Sequence, residues 1–96
     1  MKILAIEKDV PGVGEAAFEE HLPAEARAAF ALQQSGVLRE IYFRADRDDA
    51  VLILECADVD EARRTLATLP LVRAGLITFD LIPLKAYPGF ARLFAP

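Results

Sequence analysis

His21 is the only histidine of this 96-residue chain, and an imidazole with a reference pKa of about 6.5 is the natural proton shuttle at neutral pH. Pro23 follows closely and fits best at the first position of a helix, where its missing N–H costs nothing. A helix starting there places His21 just ahead of its N-terminus, where the dipole disfavours the imidazolium and keeps the ring a neutral base. The alternative is a solvent-exposed loop histidine. Glu40, Tyr42 and Arg44 alternate and so project from one face of a strand. Together a carboxylate, a phenol and a guanidinium can abstract a proton, stabilise an enolate and clamp a substrate carboxylate. The same alternation equally describes a polar edge strand that resists aggregation. Arg39 points to the opposite face and is a second clamp candidate or one half of an inter-subunit ion pair.

Other reactive types are placed less tellingly. Tyr87 and Phe90, around Pro88 and Gly89, can close a pocket or pack a dimer. Glu25 in a first helical turn is favoured by the dipole alone, though proton transfer is open to it. Glu7 and Asp80 lie at or near strand ends, and one residue of register decides which face they occupy. Cys56, at the end of an apolar strand, reads as a small hydrophobe. As the only cysteine, without a second Cys or a His at ligand spacing, it makes no internal disulfide and no metal site.

The elements that must position these groups are short. Lys2 to Glu7 is a strand, and Lys8 to Gly14 a turn carrying Pro11, Gly12 and Gly14. Glu15 to Leu22 is expected as a loose turn, followed by a helix from Pro23 to Ser35 with Ala26, Ala29, Phe30 and Gln33 on one side and Gly36 ending it. Val37 to Arg44 and Ala50 to Cys56 form an antiparallel hairpin about the polar turn Asp46 to Asp49. In the first of these strands, alternation sets Val37, Arg39, Ile41 and Phe43 against Leu38, Glu40, Tyr42 and Arg44. Asp58 and Glu61 have capping-box spacing ahead of Val59, Ala62, Leu66 and Leu69, and Pro70 stops that run. Leu76 to Leu84 is the last strand.

The order β-α-β-β-α-β is the split βαβ plan of an α+β, ferredoxin-like domain, with both helices on one face of a four-stranded antiparallel sheet. A single domain is expected over residues 1–96, with 85–96 an aromatic tail beyond the last strand. Val51 to Leu54 and Ile3 to Ile6 run without a polar break, so both strands are expected to be buried on both faces. Two helices cover only one face. Burying four aliphatic side chains on the other is worth roughly 1.5 to 3 kcal/mol each, comparable to a small domain's whole stability. A second copy about a two-fold axis is the simplest cover.

Composition narrows the partners. Fifteen acidic against eleven basic residues give a net charge of −4, and the scattered Lys and Arg fit nucleic acid poorly. No apolar run approaches membrane-span length. The start of the chain lacks the pattern of a secretory signal, so a cytoplasmic protein is expected.

The stretch Thr65-Leu66-Ala67-Thr68-Leu69-Pro70-Leu71, then Gly75-Leu76-Ile77, Pro83 and Tyr87-Pro88-Gly89, resembles the muconolactone isomerase-like and YCII-related proteins of the dimeric α+β barrel superfamily. Gly36 ahead of a strand carrying Arg39 is similar too. The resemblance implies two ferredoxin-like sheets paired as a dimeric α+β barrel and a small, mostly apolar ligand pocket between sheet and helices. Activities in the superfamily range from lactone isomerisation and cofactor-free oxygenation to haem degradation and ligand sensing. The haem-degrading members use an Asn, His and Trp set, and this chain has neither Asn nor Trp. The YCII-related proteins pair an early-helix His with an Asp; here His21 has Arg39 and Glu40 in the region of that Asp.

The expected function is therefore a homodimeric, cofactor-free isomerase that moves a proton on a lactone or small organic acid. His21 or Glu40 would be the base, Tyr42 the hydrogen-bond donor, Arg39 or Arg44 the clamp, and Tyr87 and Phe90 the pocket closure. A non-catalytic ligand-binding or oligomerisation module of the same fold is the alternative, and a cofactor-free monooxygenase a third.

Overall fold

A computed structural model describes residues 1–94; positions 95–96 of the expected tail lie outside the described residues. The elements are β1 (Lys2–Asp9), α1 (Glu15–Ser35), β2 (Leu38–Phe43), β3 (Ala50–Glu55), α2 (Val59–Leu66), α3 (Pro70–Arg73) and β4 (Ile77–Leu84), then a 3-10 turn at Gly89–Leu93. The strands form one antiparallel sheet in the order β2-β3-β1-β4. This is the ferredoxin-like plan expected from the sequence, with α3 as a short addition.

The sheet sorts its residues by face. Ile3 and Ala5 of β1 pair with Leu54 and Leu52 of β3, and all four are buried against the helices with Leu38, Cys56, Ala62, Leu66 and Leu69. A second buried cluster, Leu71, Leu76 and Ile77, takes in Val13, Ala17 and Phe18. On the opposite face Leu4, Ile6, Val51 and Ile53 are only half-buried and Ile82 is 42% exposed. One chain therefore buries one face of the two apolar strands and leaves the other uncovered.

Two local expectations are corrected. Simple alternation along β2 put Leu38 on the same face as Glu40 and Tyr42. Instead a register shift between Leu38 and Glu40 inserts Arg39 as an extra residue. Leu38 therefore pairs with Leu54 and is buried, whereas Glu40 and Tyr42 pair with Ile53 and Val51 on the uncovered face.

The helix does not start at Pro23 either; α1 is continuous from Glu15, with Pro23 inside it. Proline cannot donate the bond that the Glu19 carbonyl would accept, but Ala17 and Phe18 gain burial against the second cluster by staying helical. Glu25 consequently lies mid-helix, not in a first turn. Phe30 faces outward at 60% exposure, while Ala28, Ala29 and Leu32 pack on the core.

The ends of these elements follow their residues. Gly36 adopts a φ of 87° and returns its N–H to α1 carbonyls, the left-handed stop that glycine takes without strain. At α2 the Asp58 side chain accepts the Glu61 N–H at 2.7 Å, and the Glu61 carboxylate accepts the Ala57 N–H at 2.9 Å.

No residue of α1 is fully buried, because the helix rides on small side chains and leaves space between itself and the sheet. Beyond β4 the tail departs from the body. Tyr87, Phe90, Leu93 and Phe94 are exposed, and the radius of gyration of 15.8 Å exceeds the roughly 12 Å of a compact chain this long. A Cβ at Gly89 would overlap the Tyr87 ring, so glycine there lets the tail fold on itself. Tyr87 and Phe90 stack at 5.0 Å between ring centroids. Among the described residues, no helix is long and apolar enough to cross a membrane.

Candidate active site

The space under α1 is an open cleft of about 920 Å³. Phe18, Leu22 and Ala29 of α1 form one wall, and Ile41, Phe43, Leu52 and Phe79 of the sheet form the other. Polar groups gather at its floor. Glu7 continues the inward phase of Ile3 and Ala5 and is 9% exposed. Asp49, at the end of the hairpin turn, is 5% exposed, and the Glu7, Asp9 and Asp49 carboxylates lie within 4.8 Å of one another.

Two members of this group have a partner outside it. Glu7 accepts the Ala50 N–H at 3.0 Å. Asp49 is gripped by Arg47, Nε to Oδ2 at 2.6 Å. Burial, above all, drives the Glu7 carboxyl up to about 7; a hydrogen bond with Asp9 and the charges of Asp9 and Asp49 push the same way, against the Ala50 N–H. Glu7 therefore titrates near neutrality, as a residue that must both take and return a proton requires. Three carboxylates this close form a donor set suited to a divalent cation in general, although here Arg47 and the Ala50 N–H already occupy two of them.

Glu25 lines the cleft from α1 and accepts the Leu71 N–H at 2.9 Å, which ties α1 to the first turn of α3. Its pKa is raised, mainly by burial, with the Leu71 N–H and the charge of His21 opposing.

The expected site residues fall elsewhere. His21, half-buried in the second turn of α1, borders a separate shallow pocket of about 300 Å³ with Pro70, Arg73 and Ala74. Its place within the helix removes the argument that put it ahead of an N-terminus. Glu40 and Tyr42 are together, the phenol donating to Glu40 at 2.8 Å, but on the uncovered sheet face. That bond raises the tyrosine pKa. Arg44 holds Asp46 through two bonds of 2.9 and 2.6 Å, and Arg39 donates to the Gly36 carbonyl. Tyr87 and Phe90 touch each other in the tail.

Sequence reasoning left the face of Glu7 open and passed over Asp9, Arg47 and Asp49. The signal for Glu7 was its phase: a carboxylate in step with Ile3 and Ala5 is buried if they are. Asp49 offered no such signal, because in the run Asp46 to Asp49 nothing local marks which acid turns inward.

Comparison with known proteins places this architecture. The muconolactone delta-isomerase family model matches residues 5–89. No curated protein sequence matches the chain. Among solved structures, muconolactone isomerase is similar over 92% of each chain, at a TM-score of 0.75 and 20% identity. A 5-chloro-2-hydroxyhydroquinone dehydrochlorinase from Burkholderia phenoliruptrix, solved with 2,5-dihydroxybenzoquinone, is similar over 93% of this chain and 98% of its own, at a TM-score of 0.70 and 19% identity. With the family match spanning most of its length, this chain belongs to the muconolactone delta-isomerase family.

Proposed function

We propose that the protein is a cofactor-free isomerase that moves a proton on a lactone or small organic acid held in the cleft under α1, with Glu7 as the base. The observation that carries this reading is a nearly buried carboxylate, with a pKa of about 7, at the floor of an apolar cleft. Deprotonated Glu7 removes a proton from the saturated carbon at the far end of the double bond conjugated with the substrate carbonyl, and the electron pair moves through that bond into a dienolate. The same carboxyl returns the proton to the carbon next to the carbonyl, so the double bond moves and no group is gained or lost. Burial and the neighbouring acids Asp9 and Asp49 strengthen the base. Family membership and the likeness to muconolactone isomerase support this chemistry.

The assembly we propose is a homodimer. Its sheets pair through the uncovered face of Leu4, Ile6, Val51 and Ile53, and the tail of one copy, through Tyr87 and Phe90, closes the cleft of another. Exposed aromatic residues with no seat on their own body support that role.

Turnover of lactones, followed by product analysis, tests the assignment. Loss of activity in Glu7→Gln with retention in Glu40→Gln and His21→Ala is expected. Activity untouched in Glu7→Gln but lost in Glu40→Gln would move the base to the sheet face, and binding without product across the panel would make the protein a ligand-binding module.

A further inference from the structure

The proposed reading leaves two substrate classes, and the charge of the cleft separates them. Beyond the three carboxylates at the floor, α1 lines the cleft with Glu15, Glu19 and Glu25, and the hairpin turn adds Asp48. Against these acids stands one cation among the described lining residues, Arg47, already committed to Asp49 at 2.6 Å. The two arginines expected as clamps are engaged outside the cleft, Arg44 on Asp46 and Arg39 on the Gly36 carbonyl.

A carboxylate entering this space meets an excess of like charge beside apolar walls that screen it less than water does. Nor can Arg47 turn to it freely. Releasing Asp49, whose side chain is 8% exposed while that of Arg47 is 58% exposed, would leave a buried carboxylate unpaired beside Glu7 and Asp9, which is costly even though its cation reaches water. We infer that the substrate of the cleft is uncharged, a lactone or enone without a free carboxylate. This inference rests on the proton-transfer reading for its site but makes a separate demand on the ligand.

The test pairs muconolactone, whose carboxymethyl group is ionised at neutral pH, with its methyl ester, the same ring without the charge. Binding is measured by calorimetry on the full chain, whether or not product forms, so that failure of the isomerase reading does not blur the result. At low ionic strength the ester is expected to bind about tenfold tighter than the acid. That preference should narrow in high salt and in the double variant Glu15→Gln, Glu19→Gln, whose exposed positions on α1 spare the fold. An acid bound as tightly as its ester would overturn the inference. If Arg92→Ala then selectively weakened the acid, the missing clamp would lie in the tail. Failure of both compounds to bind would count against the cleft as a lactone site altogether.

Discussion

The Glu7 carboxylate takes the Ala50 N–H at 3.0 Å one step beyond the last β1–β3 ladder pair, Ile6 with Val51. A side chain thus completes a strand pairing that the backbone leaves off, and the same carboxyl shares a hydrogen bond with Asp9. Glutamine at this position keeps an oxygen to accept the Ala50 N–H but cannot take up a proton. Glu7→Gln is therefore expected to fold normally and to lose roughly 100-fold or more in turnover, measured by initial rates alongside circular dichroism. In the unsubstituted protein kcat/KM should rise with pH through about 7, since the base works deprotonated; a profile flat across that range would remove Glu7 from the mechanism.

The same burial ties Glu7 to stability, with a definite sign. Its folded pKa, about 7, lies above the ordinary glutamate value of 4.5, so the native state holds a proton that the unfolded chain gives up first. The stabilising contribution is complete below about 4.5 and is lost as pH rises through about 7. Urea titrations between these limits should show unfolding free energy falling by on the order of 2 kcal/mol more in the wild-type chain than in Glu7→Gln. Equal pH dependence in the two would place Glu7 in contact with solvent.

Glu25 makes a contact of another kind, holding the Leu71 N–H at 2.9 Å across 46 residues of chain. Truncation removes the acceptor and leaves a part-buried donor unpaired. Glu25→Ala should cost about 1–2 kcal/mol and loosen α3, read as faster amide exchange at Leu71, whereas Glu25→Gln, which keeps an oxygen, should cost less. Amide protection at Leu71 unchanged by the alanine would contradict the tie.

Much of the scaffold is legible in the sequence, and the reason differs by element. Asp58 with Glu61, and Gly36 after a run of helix formers, are signals contained in a few adjacent residues, and each does the expected job. The site was not legible in the same way because it depends on phase set from a distance. The bulge at Arg39 reverses which β2 residues share the core face, and Glu7 becomes a floor carboxylate only because β1 lies between β3 and β4. Pro23 misled for the opposite reason: a strong local preference for a helix start yielded to the burial of Phe18 one turn earlier.

That compromise should be measurable. Pro23 is exposed inside α1, where proline costs about 3 kcal/mol relative to alanine, part of it offset by the stiffness proline lends to the unfolded chain. Pro23→Ala is expected to raise stability by about 1–2 kcal/mol, seen as a higher urea midpoint at unchanged slope. A loss of stability would mean that proline's fixed geometry inside α1 is itself needed, for instance to keep Leu22 and Glu25 against the cleft.

The uncovered sheet face supplies the last expectation. Ile53 lies at its centre, paired with Leu4 on one side and Glu40 on the other, and is half-buried within a single chain. If a second copy covers this face, Ile53→Asp places a charge in the middle of the interface without touching the helix-side core, where Leu52 and Leu54 point the other way. Sedimentation should then show the wild-type chain as a dimer or larger at micromolar concentration and the variant as a folded monomer. The variant should also lose affinity for the ligand, because the neighbour's Tyr87 and Phe90 no longer reach the cleft. A wild-type chain that sediments as a monomer would leave the tail without a seat and the cleft open on one side.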